Sequence, residues 1–241
     1  YANMLKNGDG IPVDKTEAAK YYKMSADKGN IKAMFNYANM LKNGDGIPVD
    51  KTEAIKYFKM AADEGNADAM FNYTNMLNEE KINNFKMSAD KWDTVAMNKY
   101  ANMLYDGDGI PVDKREAAKY YKMSADKGNI DAMNNYAIML QDGDGIPVDK
   151  REAAKYFKMS ADKGNIKAMN NYAIMLRKGD GIPVDKTEAA KYFKMSADKG
   201  HVFSMNNYAN MLDKGDGIPV NKTEAAKYFK MSARATYLMN E

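Results

Sequence analysis

The 241-residue chain contains no cysteine, a single histidine, His201, and a single tryptophan, Trp92. The lack of cysteine excludes disulfide bonds, thiol nucleophiles and zinc sites that need sulfur ligands. One histidine excludes metal sites built from several imidazole rings. The chain also lacks any run of about twenty apolar residues, the length that spans a bilayer. These absences predict a cytoplasmic protein with no cofactor, no metal and no membrane partner.

An excess of charge of one sign is also missing. The sequence has 36 Lys and Arg residues against 33 Asp and Glu residues, a net charge of +3. A chain so close to neutral is not suited to coating nucleic acid or an anionic membrane. The composition therefore favours protein or peptide partners over nucleic acid.

What the chain does contain is an internal repeat. The string GDGIPVD, once written GDGIPVN, begins at six glycines: Gly8, Gly44, Gly107, Gly143, Gly179 and Gly215. Successive copies are 36 residues apart, except for one interval of 63, which equals 36 plus 27. The array therefore has about seven repeats, one shortened by nine residues: 1–29 (partial), 30–65, 66–92 (shortened), 93–128, 129–164, 165–200 and 201–241. Because Tyr1 falls inside a repeat, we expect a fragment of a longer protein.

Each repeat is predicted to form two helices joined by the glycine-containing turn. The first begins after the N-cap Asn30 and ends at Gly44, which suits a left-handed C-terminal position. The second begins after the N-cap Asp50, with Glu53 three residues on as in a capping box, and ends at Gly65. The apolar residues of the first helix share one face: Ala33, Met34, Tyr37, Ala38 and Leu41.

A pair of short helices cannot bury its own apolar faces, so neighbouring pairs must stack. The predicted fold is all-α: a right-handed α/α superhelical solenoid of about seven helix-turn-helix repeats, forming one domain over residues 1–241. We expect a monomer whose first helices line a concave face.

The segment from Ala33 to Gly65 resembles the Sel1-like repeat, a tetratricopeptide-like family. The resemblance rests on the turn from Gly44 to Asp50, on Ala54, and on the aromatic pair Tyr57–Phe58. It implies a non-catalytic scaffold or adaptor that binds a peptide or a partner domain on the concave face. Two alternatives are a spacer or regulatory arm fused to a catalytic domain outside this chain and, less favoured, a hydrolase. The hydrolase alternative comes from cysteine-rich relatives, and this chain has no cysteine.

No residue is predicted to be catalytic, because a catalytic constellation must occur once, whereas the scaffold repeats. The carboxylates Asp9, Asp14 and Glu17 recur in nearly every repeat, and helix capping explains the last two. The Asp106–Gly109 segment lacks the first and last ligands of an EF-hand loop, so no calcium site is expected. His201 stands where other repeats have Asn and is predicted to be either an N-cap or an exposed polar residue.

Lysines recur on the second helix, as at Lys20 and Lys23. They could form a basic ladder that follows phosphates. The favoured interpretation is a set of ion pairs along each helix, since Glu17 and Asp27 lie three and four residues away.

Two asparagine positions recur on the first helix, three residues apart and therefore on one face. A carboxamide offers donors and an acceptor that match the backbone of an extended peptide. The alternative is that repeat duplication copied an Asn-rich composition. Partner choice is expected where repeats differ, as at Tyr105 and Arg177. The candidate partner-binding residues are Asn36, Asn39, Asn72, Asn75, Asn102, Tyr105, Asn135, Asn171, Arg177, Asn207 and Asn210.

The shortened repeat and the C-terminus depart from the pattern. Residues 78–84 replace the turn and the start of the second helix, and Trp92 replaces the terminating glycine. Because Trp does not easily adopt a left-handed conformation, the turn there is expected to change, with Trp92 filling the space left by the deletion or, alternatively, contacting a partner. After Ala233 the stop signal is missing, so the last helix should continue and cover the apolar end of the array.

Methionine is abundant, with 21 copies, of which all but Met239 fall on three repeating positions, those of Met4, Met24 and Met34. Two of these positions lie on or beside the apolar face of the first helix, and that of Met24 lies on the second. The methionines are therefore expected to serve mainly in packing between helices.

Overall fold

A computed structural model describes residues 1–239. They form thirteen helices and no strand, which confirms the predicted α-solenoid of stacked helix pairs. The chain divides into two compact parts, Tyr1–Asn84 and Phe85–Glu241. The last two residues of the seventh predicted repeat, 240 and 241, lie outside the described residues.

Five helices begin in the N-terminal part: α1 (Ala2–Asn7), α2 (Lys15–Ala26), α3 (Ile31–Asn43), α4 (Lys51–Asp63) and α5 (Ala67–Asp90), the last of which continues past the division. Eight more lie in the C-terminal part: α6 (Thr94–Asp106), α7 (Lys114–Asp126), α8 (Ile130–Asp142), α9 (Lys150–Asp162), α10 (Ile166–Lys178), α11 (Lys186–Asp198), α12 (Val202–Lys214) and α13 (Lys222–Met239). The even-numbered helices from α6 to α12 are first helices of their repeats, and the odd-numbered ones from α7 to α13 are second helices.

Helix boundaries follow the predicted capping residues. The side chain of Asn30 accepts a hydrogen bond from the backbone N–H of Ala33, and Asp50 accepts one from Glu53, both at 2.9 Å. Gly44 ends α3 with a φ of 71°, in the left-handed region. These polar contacts satisfy backbone groups that a helix end leaves without partners.

Within each compact part, the core lies between the two helices of an intact repeat and between successive intact repeats. Alanines such as Ala137 and Ala153 are fully buried and allow close approach of the helices. Tyrosines on the first and second helix meet edge to face, as for Tyr136 and Tyr156, whose ring centroids are 5.0 Å apart. This geometry is favoured by the aromatic quadrupole.

A tyrosine–aspartate contact joins successive second helices. The hydroxyl of Tyr120 donates to Asp90 at 3.1 Å, and that of Tyr156 donates to Asp126. Burial and, after it, the bond to Asp90 raise the pKa of Tyr120 to about 12. The phenol is protonated at neutral pH and donates a hydrogen bond that links the two second helices.

The methionines divide into buried and half-exposed rows. The positions of Met34 and Met40 are buried in nearly all repeats, as predicted. Along the second helices the row is less covered, with Met24 56% and Met195 40% exposed. That third row therefore contributes to the surface as well as to packing.

The second glycine of the turn packs tightly against the preceding repeat. Gly181 has a φ of 78°, and a Cβ there would lie 2.6 Å from the carbonyl carbon and the Cβ of Lys150. Gly145 and Gly217 approach the corresponding lysines, Lys114 and Lys186, equally closely. Only glycine fits at this junction.

The shortened repeat forms one continuous helix. Residues 78–84, which were expected to replace the turn, lie inside the 24-residue helix α5. The deletion removed the glycines and the proline of the turn, so no residue remains there to stop the helix. Met70 and Leu77 are 56% and 39% exposed, whereas their counterparts Met133 and Leu140 are buried. A continuous helix cannot fold back to cover its own apolar residues.

The prediction for Trp92 was wrong. Its φ is 71°, so tryptophan occupies the left-handed position that glycine occupies elsewhere. The same hydrogen bonds hold the turn: the N–H of Trp92 donates to Ala89 at 2.9 Å, and that of Asp93 donates to Ser88 at 3.1 Å. The side chain is 59% exposed, with Nζ of Lys127 4.4 Å from its ring centroid, so it does not fill the space left by the deletion.

At the C-terminus, α13 continues through residues 234–239 as predicted. The expected cover does not form, since Tyr237 and Leu238 are 65% and 61% exposed. Phe229 is 38% exposed, although its counterpart Phe193 is fully buried. The extension runs on in the direction of α13 and therefore does not turn back over Phe229.

The glycine junction gives a first prediction. Gly181→Ala should lower the free energy of unfolding by ~2–4 kcal/mol, because left-handed strain and overlap with Lys150 add together. Gly164→Ala is the matched control: Gly164 also has a positive φ, 102°, but no atom lies within 4 Å of a Cβ there. Its cost should be ~1–2 kcal/mol. Urea unfolding of the two variants measures the difference, and equal losses would contradict the contact with Lys150.

Trp92 gives a second prediction. Trp92→Gly should stabilise the protein by roughly 0.5–1 kcal/mol, because glycine adopts a positive φ without strain and loses only an exposed cation–π contact. Trp92→Ala keeps the strain and loses the ring, so it should be the least stable of the three. Thermal unfolding of wild type and both variants establishes the order. A glycine variant less stable than wild type would mean that the ring contact outweighs the backbone strain.

Candidate partner-binding surface

His201 is the N-cap of α12, as predicted. Its Nδ1 lies 3.3 Å from the backbone nitrogen of Ser204 and accepts its proton, and 2.9 Å from the Ser204 hydroxyl. Ser204 is fully buried and bonded to Ser196 and Asn170. A nucleophile must reach a substrate, so this serine–histidine contact serves helix capping.

In residues 1–239, no three His, Asp or Glu side chains converge in a way that could hold a metal ion. None of the helices in that range combines the length and the apolarity needed to cross a membrane.

The eleven candidate partner-binding residues are all half-buried in the structure. Four lie in the N-terminal part, on α3 and on the first half of α5: Asn36, Asn39, Asn72 and Asn75. Seven lie in the C-terminal part, on α6, α8, α10 and α12: Asn102, Tyr105, Asn135, Asn171, Arg177, Asn207 and Asn210. They therefore belong to first helices, with α5 taking that role in the shortened repeat.

In the N-terminal part, two of these carboxamides bind their own helix. Nδ2 of Asn39 donates to the carbonyl of Phe35 at 3.0 Å, and Nδ2 of Asn72 donates to the carbonyl of Asp68 at 2.8 Å. The oxygen of Asn72 also accepts from Nζ of Lys42 at 3.1 Å. These donors are occupied, which leaves them less available to a partner.

In the C-terminal part, asparagines link successive first helices. Nδ2 of Asn135 on α8 lies 3.3 Å and 3.4 Å from the side-chain oxygens of Asn98 and Asn102 on α6. Asn102 also accepts a 2.6 Å hydrogen bond from the hydroxyl of Tyr121. The bonds between asparagines are long and therefore weak.

The same linkage continues along the array. Nδ2 of Asn171 lies 3.5 Å from the oxygen of Asn134, and Nδ2 of Asn207 lies 3.5 Å from that of Asn170. Asn134 and Asn170 were not among the candidate residues. Their signal in the sequence is that they stand where the first repeats have Phe35 and Phe71, an exchange of an apolar for a polar residue.

Two cavities open between first helices at equivalent positions, two repeats apart. The first, of about 350 Å³, is lined by residues of α6, α7 and α8: Asn102, Tyr105, Asp106, Tyr121, Asn135, Ile138 and Met139. The second, of about 500 Å³, is lined by residues of α10, α11 and α12 and of the turn that follows: Ile174, Arg177, Lys178, Lys186, Phe193, Asn207 and Asp216. We call them the α6–α8 cavity and the α10–α12 cavity.

Each cavity has an aspartate from the next turn at its edge. At the α6–α8 cavity, Asp144 accepts from the hydroxyl of Tyr105 at 2.7 Å and from Nζ of Lys114 at 2.8 Å. The bond from Lys114 and, after it, that from Tyr105 lower the pKa of Asp144. Tyr105 is thereby held at the rim of the cavity.

At the α10–α12 cavity, Arg177 takes the place of Tyr105. Its Nε donates to Asp216 at 2.9 Å, and Nζ of Lys186 lies 2.7 Å from the other carboxylate oxygen. The bond from Lys186 contributes most to lowering the pKa of Asp216, and burial partly opposes it. Asp216 stays ionised and orients both cations.

The lysines of the second helices form the predicted ion pairs. Lys122 and Lys158 each lie 2.6 Å from the aspartate four residues on, and Lys119 lies 2.5 Å from Glu116. A third cavity, of about 390 Å³, occurs at this surface and is lined by side chains of both charges, among them Glu152 and Lys155. The second-helix surface therefore carries paired charge instead of a continuous basic ladder.

The N-cap at His201 gives a third prediction. Burial, with a smaller effect from Lys167, lowers the pKa of His201 below 6.5. As the pH falls through 6.5, the unfolded chain takes up a proton first, so the stability present above that pH is lost.

We therefore expect wild type to lose more stability between pH 7 and pH 5 than His201→Asn, with a difference of about 1 kcal/mol or less. Asn is the matched residue because Asn129 and Asn165 cap α8 and α10 in the same way. Urea unfolding at both pH values tests this. Parallel losses in the two proteins would show that the imidazole does not titrate on unfolding.

Comparison with known proteins identifies the repeat. The Sel1 repeat family model matches residues 1–30, 31–66, 94–129, 130–165, 166–201 and 202–237, and the predicted shortened repeat falls almost entirely in the unmatched stretch. None of the curated proteins compared with the chain matches it.

Two solved structures share the fold. A Sel1 repeat protein from Oxalobacter formigenes is 27% identical, with a TM-score of 0.56 over 97% of this chain and 85% of the other. A protective antigen of uropathogenic Escherichia coli strains, which displays an SLR fold, is 24% identical with the same TM-score. The alignment covers 97% of this chain but only 44% of that antigen. Sel1 repeat proteins are typically non-catalytic scaffolds for protein–protein interaction. On its own repeats and on these matches, the chain belongs to the Sel1 repeat family.

Proposed function

We propose that the first-helix surface of the C-terminal part binds an extended segment of a partner protein. One observation carries the proposal: five of the candidate residues line two cavities at equivalent positions of the array. They are Asn102, Tyr105 and Asn135 at the α6–α8 cavity, and Arg177 and Asn207 at the α10–α12 cavity.

The chemistry of these side chains suits a peptide backbone. The NH2 group of a carboxamide can donate to the C=O of a peptide group, and the carboxamide oxygen can accept from its N–H. The bonds that Asn135 and Asn207 make at present are 3.3–3.5 Å long. Exchanging such weak contacts for shorter ones to a bound backbone costs little. Half-buried amides are also partly desolvated, which strengthens a new hydrogen bond.

The proposal includes a protein partner and not a nucleic acid, since the second-helix lysines are paired with carboxylates. We take the scaffold to be monomeric and non-catalytic. A cytoplasmic location agrees with the absence of cysteine.

A fourth prediction tests the surface. Random dodecapeptides displayed on phage are selected on the wild-type protein, and the affinity of the strongest is measured by fluorescence anisotropy. Asn135→Ala combined with Asn207→Ala should weaken binding at least about tenfold, because about two hydrogen bonds of ~1 kcal/mol each are lost.

The control is Lys119→Ala combined with Lys191→Ala, which changes exposed residues of second helices and should leave affinity within about twofold. Circular dichroism checks that both double variants are folded. Equal binding by wild type and the folded asparagine variant would overturn the proposed surface.

A further inference from the structure

The two cavities occupy equivalent positions but carry opposite charge. Tyr105 and Asp106 at the α6–α8 cavity correspond to Arg177 and Lys178 at the α10–α12 cavity. We infer that the segment bound at this surface places an acidic side chain in the α10–α12 cavity and a basic side chain in the α6–α8 cavity, which fixes its direction. The inference rests on the proposed function and specifies the partner.

The α10–α12 cavity is lined by more cationic groups than carboxylates. Three cations, Arg177, Lys178 and Lys186, line it against one carboxylate, Asp216. Arg177 uses only Nε for that carboxylate, and its terminal nitrogens have no acceptor within residues 1–239. Lys178 is exposed and forms no ion pair in the same range. A guanidinium already oriented by one carboxylate can bind a second through its terminal N–H groups at little entropic cost.

The remaining lining residues of the two cavities also differ in polarity. In the α10–α12 cavity, Ile174 and the fully buried Phe193 are apolar. Their counterparts in the α6–α8 cavity, Asn102 and Tyr121, are polar and bonded to each other. An apolar floor beneath a cationic rim accommodates the methylene groups of Glu below its carboxylate.

The α6–α8 cavity lacks such cations. Lys114, the nearby lysine of α7, is bound to both oxygens of Asp144. Asp106 lines the cavity, is exposed and forms no ion pair in the described part of the chain. In the repeat between the two cavities, the corresponding residues are Gln141 and Asp142. The sign of the surface therefore changes between α8 and α10.

The repeat spacing sets the distance between the two charges of the partner. Packed helices are roughly 10 Å apart, and each first helix packs against the second helices on either side of it. Successive first helices are therefore at least that far apart, and cavities two repeats apart are separated by at least roughly 20 Å. An extended chain rises about 3.3 Å per residue, so the acidic and basic residues should be at least about six residues apart.

The equivalence of the cavities allows a matched exchange of their linings. Arg177→Tyr with Lys178→Asp copies the α6–α8 cavity into the second position, and Tyr105→Arg with Asp106→Lys makes the reverse change. Tyr105 donates to Asp144 as Arg177 donates to Asp216, so each exchange retains a donor to the local aspartate. Both proteins should fold, which circular dichroism and thermal unfolding check.

Random dodecapeptides are then selected on wild type and on both exchange proteins. Wild type should enrich peptides with Asp or Glu at least about six residues from Lys or Arg. The first exchange should abolish the preference for the acidic residue, and the second should abolish the preference for the basic one. In the strongest wild-type peptide, replacing the acidic residue by its amide should weaken binding about fivefold, and less at high salt.

The outcomes separate this inference from the proposed function. Peptides that lose affinity on the Asn135→Ala and Asn207→Ala protein but show no charge preference would overturn the inference alone. Failure to select any peptide would overturn both. The acidic residue of the strongest peptide is also replaced by phosphoserine. If that peptide binds more than tenfold better, the α10–α12 cavity is a phosphate site, which would contradict the assignment of a carboxylate to it.

Discussion

Contacts between a second helix and the repeats before and after it recur at one offset along the chain, 30 residues. The hydroxyl of Tyr156 reaches Asp126, that of Ser160 reaches the carbonyl of Ile130, and Lys150 pairs with Asp180. The offset is constant because intact repeats are copies of one another, so a contact that forms at one junction recurs at others, as for Ser124, Ser160 and Ser196. Stability in such an array is approximately a sum of repeats and nearest-neighbour junctions. The rest of the architecture depends on keeping these junctions in register.

The division of labour within a repeat follows from this constraint. The second helix and the turn carry the junctions, including the glycine that contacts the preceding lysine. Their sequence is therefore nearly the same in every intact repeat. The C-terminal end of the first helix takes a smaller part in these contacts, and there the residues change from Tyr105 to Gln141 to Arg177. The residues at this end of the first helix can therefore change, and with them the partner, without altering the packing between repeats.

Most of the fold could be predicted from the sequence because its signals are local and repeated. Asn30, Asp50 and Gly44 mark helix ends through hydrogen bonds within a few residues, and the structure confirms all three. The structure differs from the prediction where other interactions outweigh the conformational preference of a residue. Trp92 adopts a positive φ because the turn supplies two backbone hydrogen bonds that outweigh its conformational cost.

The candidate site could be predicted in part. The asparagine series identified the surface, but the sequence did not show which residues share a cavity, since that depends on how far successive first helices are apart. Nor did it show that the carboxamide donors of Asn39 and Asn72 are bound to their own helix. The pairing of Arg177 with Asp216 joins residues 39 positions apart and likewise needed the structure.

The continuous helix α5 has a consequence for how this chain can change length. Adding or removing a whole repeat preserves the 30-residue offset of every junction, so the array can grow or shrink in steps of one period. Losing nine residues is not such a step. It removes the turn and merges two helices into one, and the apolar side chains of Met70 and Leu77 are left uncovered. The array therefore tolerates changes of length by whole repeats, whereas the shortened repeat shows that losing part of a repeat exposes apolar side chains.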